Sequence, residues 1–236
     1  MFDLFESMFF RERSTQAEYF DTPGLSQVQR DEAFRELDRL NILFHFSHPF
    51  VSQLPCWLGK KRCEDLKVLD VGAGSGLLAK KLSDWARRRG WNWQFTNLDV
   101  NSITPTSASG ATFVAGSALE LPFADNSFDL VVASQMTHHL TDAEVVQHWR
   151  EAWRVTRDAV FISDLHRNAG FYAMLWLTML LMRTDNNLRK DGLISVKRGF
   201  RRREWRELAA RAEISNAKVW LYYGTRIVLQ ARKDAR

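Results

Sequence analysis

The sequence predicts an α/β protein with a doubly wound, seven-stranded, mostly parallel sheet. The sheet closes on a C-terminal antiparallel hairpin and carries an N-terminal helical extension. Three observations predict this. From residue 65 onward, short apolar runs alternate with helical patterns, as in a parallel sheet covered on both faces. The run K-V-L-D-V-G-A-G-S-G, Lys67 to Gly76, joins a strand to a helix through three alternating glycines. Two β-rich runs flanking Gly224 read as the closing hairpin.

Residues 1–64 show no strand alternation. Ser26 and Gln29 form a capping box ahead of a helix in which Phe34, Leu37, Leu40 and Phe44 recur at helical spacing. Pro23-Gly24 marks the break before it. A second helix is expected over His48 to Leu58, with Pro49 at its start. These segments make an extension over 1–64, packed on a domain over 65–236.

Within that domain Val68 to Val71 is the first strand. The helix from Leu77 buries Leu78, Leu82, Trp85 and Ala86. It ends in Arg87, Arg88 and Arg89, which suit the negative end of the helix dipole, with Gly90 as terminator. Trp93 to Leu98, ending in Asp99, is strand two, and Thr112 to Ala115 strand three. Phe128 to Ala133 is the near-continuous apolar run of a central parallel strand. Thr141 and Glu144 make a capping box for a helix with Val145, Trp149 and Trp153 on one face. Val160 to Ser163 is strand five. Residues 165–199 are long for one crossover; they hold an apolar helix and a polar turn, D-N-N-L-R-K-D-G, and read as a substrate-covering insertion. A last helix over Glu204 to Ala212 precedes hairpin strands Lys218 to Tyr223 and Arg226 to Ala231.

Composition is that of a globular chain: 236 residues, 45% hydrophobic and 26% charged, which argues against disorder. A net charge of +5 permits an acidic partner without demanding one. Nine Trp and sixteen Phe suit a protein that handles flat or greasy small molecules, and equally suit a core. Cys56 and Cys63 form neither a disulfide framework nor a zinc pattern, which points to a reducing cytoplasm. The N-terminus, M-F-D-L-F-E, has no basic region before an apolar stretch, so no signal peptide is expected. The longest apolar run, Gly170 to Met182, falls short of the roughly 20 residues a spanning helix needs. Membrane contact is therefore expected at most at the surface.

The glycine turn carries the first chemistry. Its third glycine comes one residue earlier than in the dinucleotide fingerprint G-x-G-x-x-G, and Leu77 stands where that fingerprint has glycine. Asp70 sits two positions before the first glycine. The turn lets backbone N–H groups and a helix N-terminus come close to a ligand. This hydrophobic-Asp-x-Gly-x-Gly-x-Gly arrangement resembles motif I of class I S-adenosylmethionine-dependent methyltransferases, which have a Rossmann-like fold. The resemblance implies S-adenosylmethionine as cofactor and S-adenosylhomocysteine as product. Asp70, Gly72, Ala73, Gly74 and Gly76 would then belong to the cofactor site. Asp99 follows Gly76 by 23 residues at the end of strand two, where an acid accepts both hydroxyls of an adenosine ribose, with Val100 beside it.

A second resemblance lies in G-S-A-L-E-L-P-F-A-D-N-S-F-D-L-V-V-A. Leu121-Pro122-Phe123 and Ser127-Phe128-Asp129 are similar to motifs of the quinone-biosynthesis C-methyltransferase-like group. Ser117, ahead of Ala118, replaces that group's adenine-contacting aspartate; its hydroxyl bonds an amine more weakly than a carboxylate. The resemblance covers about residues 65 to 165.

Ligands in such sheets lie outside the carboxyl ends of the strands. Strand four ends at Ser134-Gln135-Met136-Thr137-His138-His139 and strand five at Ser163-Asp164-Leu165-His166, so His138, His139, Asp164 and His166 are expected near the methyl donor, with Gln135 on the cofactor. Methyl transfer is an in-line displacement in which the protein mainly positions the acceptor. A phenolic acceptor, titrating near pH ~10, benefits from a base. His139 or His166 is the candidate. Adjacent histidines on one turn are expected to diverge, and no metal is predicted. Tyr19, Arg30, His45 and His48 of the extension are further ligand candidates, each also explicable as a surface or packing residue.

The basic run K-R-G-F-R-R-R-E-W-R, Lys197 to Arg206, reads either as an anion-binding patch or as a solvated helix start with Phe200 and Trp205 packed inward; the second is expected. Asp164-Leu165-His166-Arg167, Asp191-Gly192, Ser195-Val196 and Gly199-Phe200 resemble a pattern in bacterial methyltransferases of quinone-like and polyketide-like pathways. The resulting expectation is methyl transfer to a small, fairly apolar acceptor: a hydroxylated aromatic, quinol or polyketide-like molecule. One alternative is a nucleic-acid methyltransferase. It is disfavoured because Ser134-Gln135-Met136-Thr137 lacks the Asn/Asp-Pro-Pro-aromatic tetrapeptide, and the only Pro-Cys, Pro55-Cys56, lies upstream of motif I. The other is a non-catalytic cofactor-binding or interaction protein, kept open by Ser117 and the lack of an obvious base. Oligomeric state is left open.

Overall fold

The computed structural model describes residues 10–19, 27–59, 63–100, 110–214 and 216–233. Among the described residues two helices come first, α1 (Gln27–Leu43) and α2 (His48–Leu58), followed by β1 (Asp65–Val71), α3 (Leu77–Arg87), β2 (Asn92–Asp99) and β3 (Thr112–Ala115). After β4 (Phe128–Ser134) a single 3₁₀ turn, Thr137–His139, leads to α4 (Asp142–Val155) and β5 (Thr156–Leu165). Then come α5 (Ala169–Leu181), α6 (Asn186–Arg198), α7 (Arg202–Arg211), β6 (Lys218–Tyr222) and β7 (Arg226–Arg232).

The strands form one seven-stranded sheet in the order β3-β2-β1-β4-β5-β7-β6. The first five are parallel; β7 runs antiparallel to β5 and to β6. Strand alternation sorts side chains onto two faces. On one, Val68, Phe95, Leu130, Phe161 and Val228 pack under α2 and α3 through Phe50, Leu54, Leu78 and Leu82. On the other, Leu69, Val131, Ile162 and Leu229 meet α4 and α7 through Val145, Trp149, Trp205 and Leu208. Each Leu or Phe buried in this way contributes roughly 1.5–3 kcal/mol. A third cluster, Leu40, Phe171, Leu175, Met179, Leu188 and Val196, joins α1, α5 and α6.

The capping box of α4 is present: Glu144 N–H donates to Thr141 Oγ1 (3.4 Å) and Thr141 N–H to Glu144 Oε2 (2.8 Å). The box expected at Ser26 lies outside the described residues. The polar stretch D-N-N-L-R-K-D-G is not a turn. It begins α6, with Asp185 as N-cap accepting from Asn187 N–H (2.7 Å) and Leu188 N–H. Leu188 and Val196 supply the buried stripe, and Gly192 lies against Met179 of α5, where an added Cβ would be 3.3 Å from its sulfur. Helix pairing overrides local polarity here. α5 buries Phe171, Leu175 and Met179 and exposes Trp176, Leu177 and Leu181. No described helix is long and apolar enough to cross a membrane.

The basic run 197–206 packs its aromatics inward, with Phe200 and Trp205 both buried. Its arginines are partly spent on structure: Arg198 Nη2 donates to His139 O (2.8 Å) and Arg202 Nε to Val219 O (3.0 Å). Two arginines strap residues 10–19 to the domain. Buried Arg167 donates to Phe10 O (2.9 Å) and pairs with Glu204. Arg13 donates to Leu140 O (2.9 Å) and Arg198 O (2.9 Å) and lies 3.8 Å over the Phe200 ring.

Candidate active site

The carboxyl ends of β1, β4 and β5 and the start of β7 surround a cavity of about 630 Å³. Its floor is the glycine turn, where Gly72, Gly74 and Gly76 all have positive φ (68°, 52° and 77°). A Cβ on Gly72 would lie 2.3 Å from Met136 Cγ, and one on Gly76 2.9 Å from Phe113 Cζ and Asn97 Nδ2. The turn therefore needs glycine for conformation and for close approach. Several of its amides are engaged within the protein. Gly72 and Ala73 N–H donate to Leu98 O (2.8 and 3.1 Å) and Gly74 N–H to Asp99 Oδ2 (2.9 Å). These bonds pin the turn to the end of β2.

Asp70, Gly72, Ala73, Gly74, Asp99, Val100, Ser117, Ala118 and Gln135 all line the cavity. Gly76 does not; it starts α3 behind the wall. Ser117 Oγ accepts from Leu119 N–H (3.1 Å), which shapes the loop after β3. Asp70 is buried with its Oδ2 unpartnered, and burial pushes its carboxyl up to about 8, with the Asp99 charge adding to the shift. A fully buried carboxylate oxygen without a partner fits a cationic ligand group. Asp38, in α1, is pushed up by burial and accepts from Ser75 Oγ (3.0 Å).

The histidines are sorted differently from the expectation. The 3₁₀ turn carries His138 back over β5, where its Nδ1 lies 2.7 Å from Asp164 Oδ1. Asp164 also accepts from His138 N–H (3.0 Å) and Leu165 N–H (2.6 Å). Burial alone would raise the Asp164 carboxyl, yet the His138 charge and these hydrogen bonds hold it below the usual carboxylate range. His138 and His139 both line the cavity. Their rings do not diverge: the centroids are 4.2 Å apart. Glu18, His138 and His139 each bring a potential ligand atom within 4.8 Å of the others, with Glu18 also accepting from Ser195 Oγ (2.8 Å). His166 is outside the cavity wall, its Nδ1 2.8 Å from Gly224 O at the β6–β7 turn. The expectation that His166 faces the ligand is corrected by that turn, which holds its ring.

Of the extension residues, Tyr19, His45 and His48 are not in the wall either. Tyr19 N–H donates to Asp191 (2.8 Å), and His48 pairs with the Tyr222 hydroxyl. The Arg30 side chain lies outside the description. Sequence reasoning missed Glu18, Asn41 and Arg226. Arg226 Nη1 donates to Gln135 Oε1 (2.6 Å), and Gln135 Nε2 donates to Asn41 Oδ1 (2.6 Å). Gln135 holds this bridging position with φ 54°.

Residues 69–162 match the family model described as Methyltransferase domain. Among curated relatives, a demethylmenaquinone methyltransferase from Roseiflexus sp. is 33% identical over 42% of this chain and 42% of its own. A ubiquinone/menaquinone biosynthesis C-methyltransferase from Rickettsia felis is 31% identical over 57% of this chain and 48% of its own. The chain thus matches less than half the length of these relatives. A solved structure of a SAM-dependent methyltransferase from Aquifex aeolicus superposes with a TM-score of 0.56 at 15% identity. That match covers 89% of this chain and 99% of that one and speaks to the fold alone. Residues 69–162 are a methyltransferase domain, and the fold is that of class I S-adenosylmethionine-dependent methyltransferases. In this domain S-adenosylmethionine is the cofactor, and the unpartnered Asp70 oxygen and the close-approach glycine turn fit it.

Proposed function

We propose that the domain methylates a small, fairly apolar acceptor with an acidic hydroxyl, and that His138, oriented by Asp164, takes the hydroxyl proton. Hydroxylated aromatics, quinols and polyketide-like molecules are the acceptor class. The observation that carries this reading is the buried His138–Asp164 pair in the wall of a largely apolar cavity. Asp164 is held ionised and can only accept, so Nδ1 carries the proton. In the neutral imidazole Nε2 is then the acceptor, on the side of Glu18, 3.8 Å away. Once protonated, the imidazolium is stabilised by Asp164. The cofactor supplies an activated methyl group on a sulfonium. A phenolate is nucleophilic at oxygen and at the ring carbons, so the same base serves O- or C-methylation.

Asp99 would hold the ribose hydroxyls, Ser117 the adenine, and Asp70 the amino end of the cofactor. α1, α5 and α6 would wall the acceptor chamber, the role foreseen for 1–64 and 165–199. The names of the two curated relatives make quinols the first acceptors to try.

Transfer of labelled methyl from S-adenosylmethionine to a panel of phenols and quinols tests this. His138→Gln is expected to lower turnover by about 10²–10⁴-fold, with S-adenosylhomocysteine affinity kept. Turnover within tenfold of wild type, with an unchanged pH profile, would sink the base role.

A further inference from the structure

Arg226 is the one arginine or lysine among the described residues that line the cavity. It opens β7, and the antiparallel register sets it beside Leu165, next to Asp164 at the end of β5. Its side chain is only 5% exposed and reaches back towards β4, where one N–H meets Gln135 Oε1 at 2.6 Å. That partner is neutral and is itself engaged with Asn41. Among the described residues no carboxylate lies within ion-pairing distance of Arg226. Asp164 acts on it through space, but its oxygens are taken by His138 and Leu165. A guanidinium has five N–H donors in a planar fork, and burying it without a counter-charge is costly. Burial pushes its pKa down to about 10, which still leaves it charged at neutral pH.

The rest of the wall has the opposite sign. Glu18, Asp38, Asp70, Asp99 and Asp191 line the same cavity and suit cationic groups. Of the lysines and arginines among the described residues, only Arg226 offers a ligand anion a permanent complementary charge in this wall. Strand order also separates the two ends: Asp99 closes β2, while Arg226 stands on β7, beyond β1, β4 and β5. An anion held by Arg226 is therefore at the end of the cavity away from the proposed ribose site.

We propose that Arg226 is a carboxylate receptor, gripping both oxygens of a carboxylate on one of the two reactants. The inference rests on the reading that this cavity holds cofactor and acceptor together. The carboxylate has two possible sources, the amino-acid tail of the cofactor or an acidic group on the acceptor. In the second case the acceptor is a hydroxylated aromatic acid or a similar acidic molecule.

Calorimetric titration separates the sources without turnover. Wild type, Arg226→Met and Arg226→Lys are titrated with S-adenosylhomocysteine and with methylthioadenosine, which lacks the amino-acid tail. Hydroxybenzoate and phenol are then titrated into the S-adenosylhomocysteine complex. A cofactor carboxylate predicts that Arg226→Met loses roughly 10- to 100-fold in S-adenosylhomocysteine affinity and nothing for methylthioadenosine. An acceptor carboxylate predicts unchanged cofactor affinity and a similar loss for hydroxybenzoate but not phenol. Arg226→Lys keeps the charge but not the fork, so an intermediate loss is expected, and it carries the test if the Met variant does not fold. In either case apo Arg226→Met is expected to melt no lower than wild type, because a desolvated cation has been removed. The proposal is overturned if neither S-adenosylhomocysteine nor hydroxybenzoate binding responds to the folded variants. Wild-type binding of S-adenosylhomocysteine alongside such a result would leave the methyltransferase reading standing.

Discussion

Asp70 and Asp164 hold the same place in two strands of one sheet. Each is the penultimate residue of its strand, β1 or β5, and each is buried at the carboxyl edge. Burial pushes both carboxyls up, yet they end on opposite sides of the ordinary value. Asp164 meets an imidazole and two backbone N–H groups, which together outweigh desolvation. Asp70 has Asp99 as its nearby charge and one oxygen with no partner. The fold completes one carboxylate internally and leaves the other with an oxygen unpartnered. Equal burial therefore does not imply equal function; the partners decide.

The largest effect is expected from breaking the completed side. Asp164→Asn frees the His138 tautomer and is expected to cut turnover by about 10²–10⁴-fold, read in a methyl-transfer assay. It is also expected to cost about 1–3 kcal/mol of stability at neutral pH, measured by denaturant unfolding. A carboxyl with a lowered folded pKa stabilises above its unfolded pKa and loses that contribution as pH falls through the folded value. The stability gap between wild type and Asp164→Asn should therefore close in acid, and a gap that persists there would break the comparison.

Next in size is the ligand side of the glycine turn. Asp99→Ala is expected to weaken S-adenosylhomocysteine binding by about 10²-fold, the loss of charge-assisted bonds to two hydroxyls. An unchanged dissociation constant in calorimetry would remove Asp99 from the cofactor site.

The smallest effect sharpens the open side. A raised folded pKa gives the reverse sign: Asp70 stabilises the apo protein below its unfolded pKa, and the contribution is lost as pH rises through about 8. Asp70→Asn should thus be neutral or mildly destabilising near pH ~5, and stabilising by about 1–2 kcal/mol above pH ~8, relative to wild type. Cofactor binding to wild type should release a proton, visible as a buffer-dependent binding enthalpy at neutral pH. A variant that shows no change of sign with pH, and binding with no proton release, would make Asp70 as complete as Asp164.

Local rules were enough for much of this molecule. β3 and α2 fall on the boundaries read from sequence, and the α4 capping box joins residues three apart. The order of strand, glycine turn and helix was also legible, because each depends on neighbours within about one helical turn. α6 was not, since its polar start hides a buried stripe that has meaning only against α5. The His138–Asp164 pairing was beyond local reach for the same reason. His138 was visible as one of two adjacent histidines, but its partner lies 26 residues away. Arg226 reads as an ordinary charge at a strand start, and its contact with Gln135 spans 91 residues.

The sequence by itself thus determined the sheet and the glycine turn, because backbone conformation and periodic burial are written in short-range pattern, while the cofactor class was implied by the resemblance of that turn to motif I. Only the tertiary structure decided which histidine meets an aspartate, which carboxylate stays unpartnered, and that one buried arginine shares a cavity with five acids. Charge pairing depends on distance and desolvation, and both are set by the packing of strands far apart in the chain.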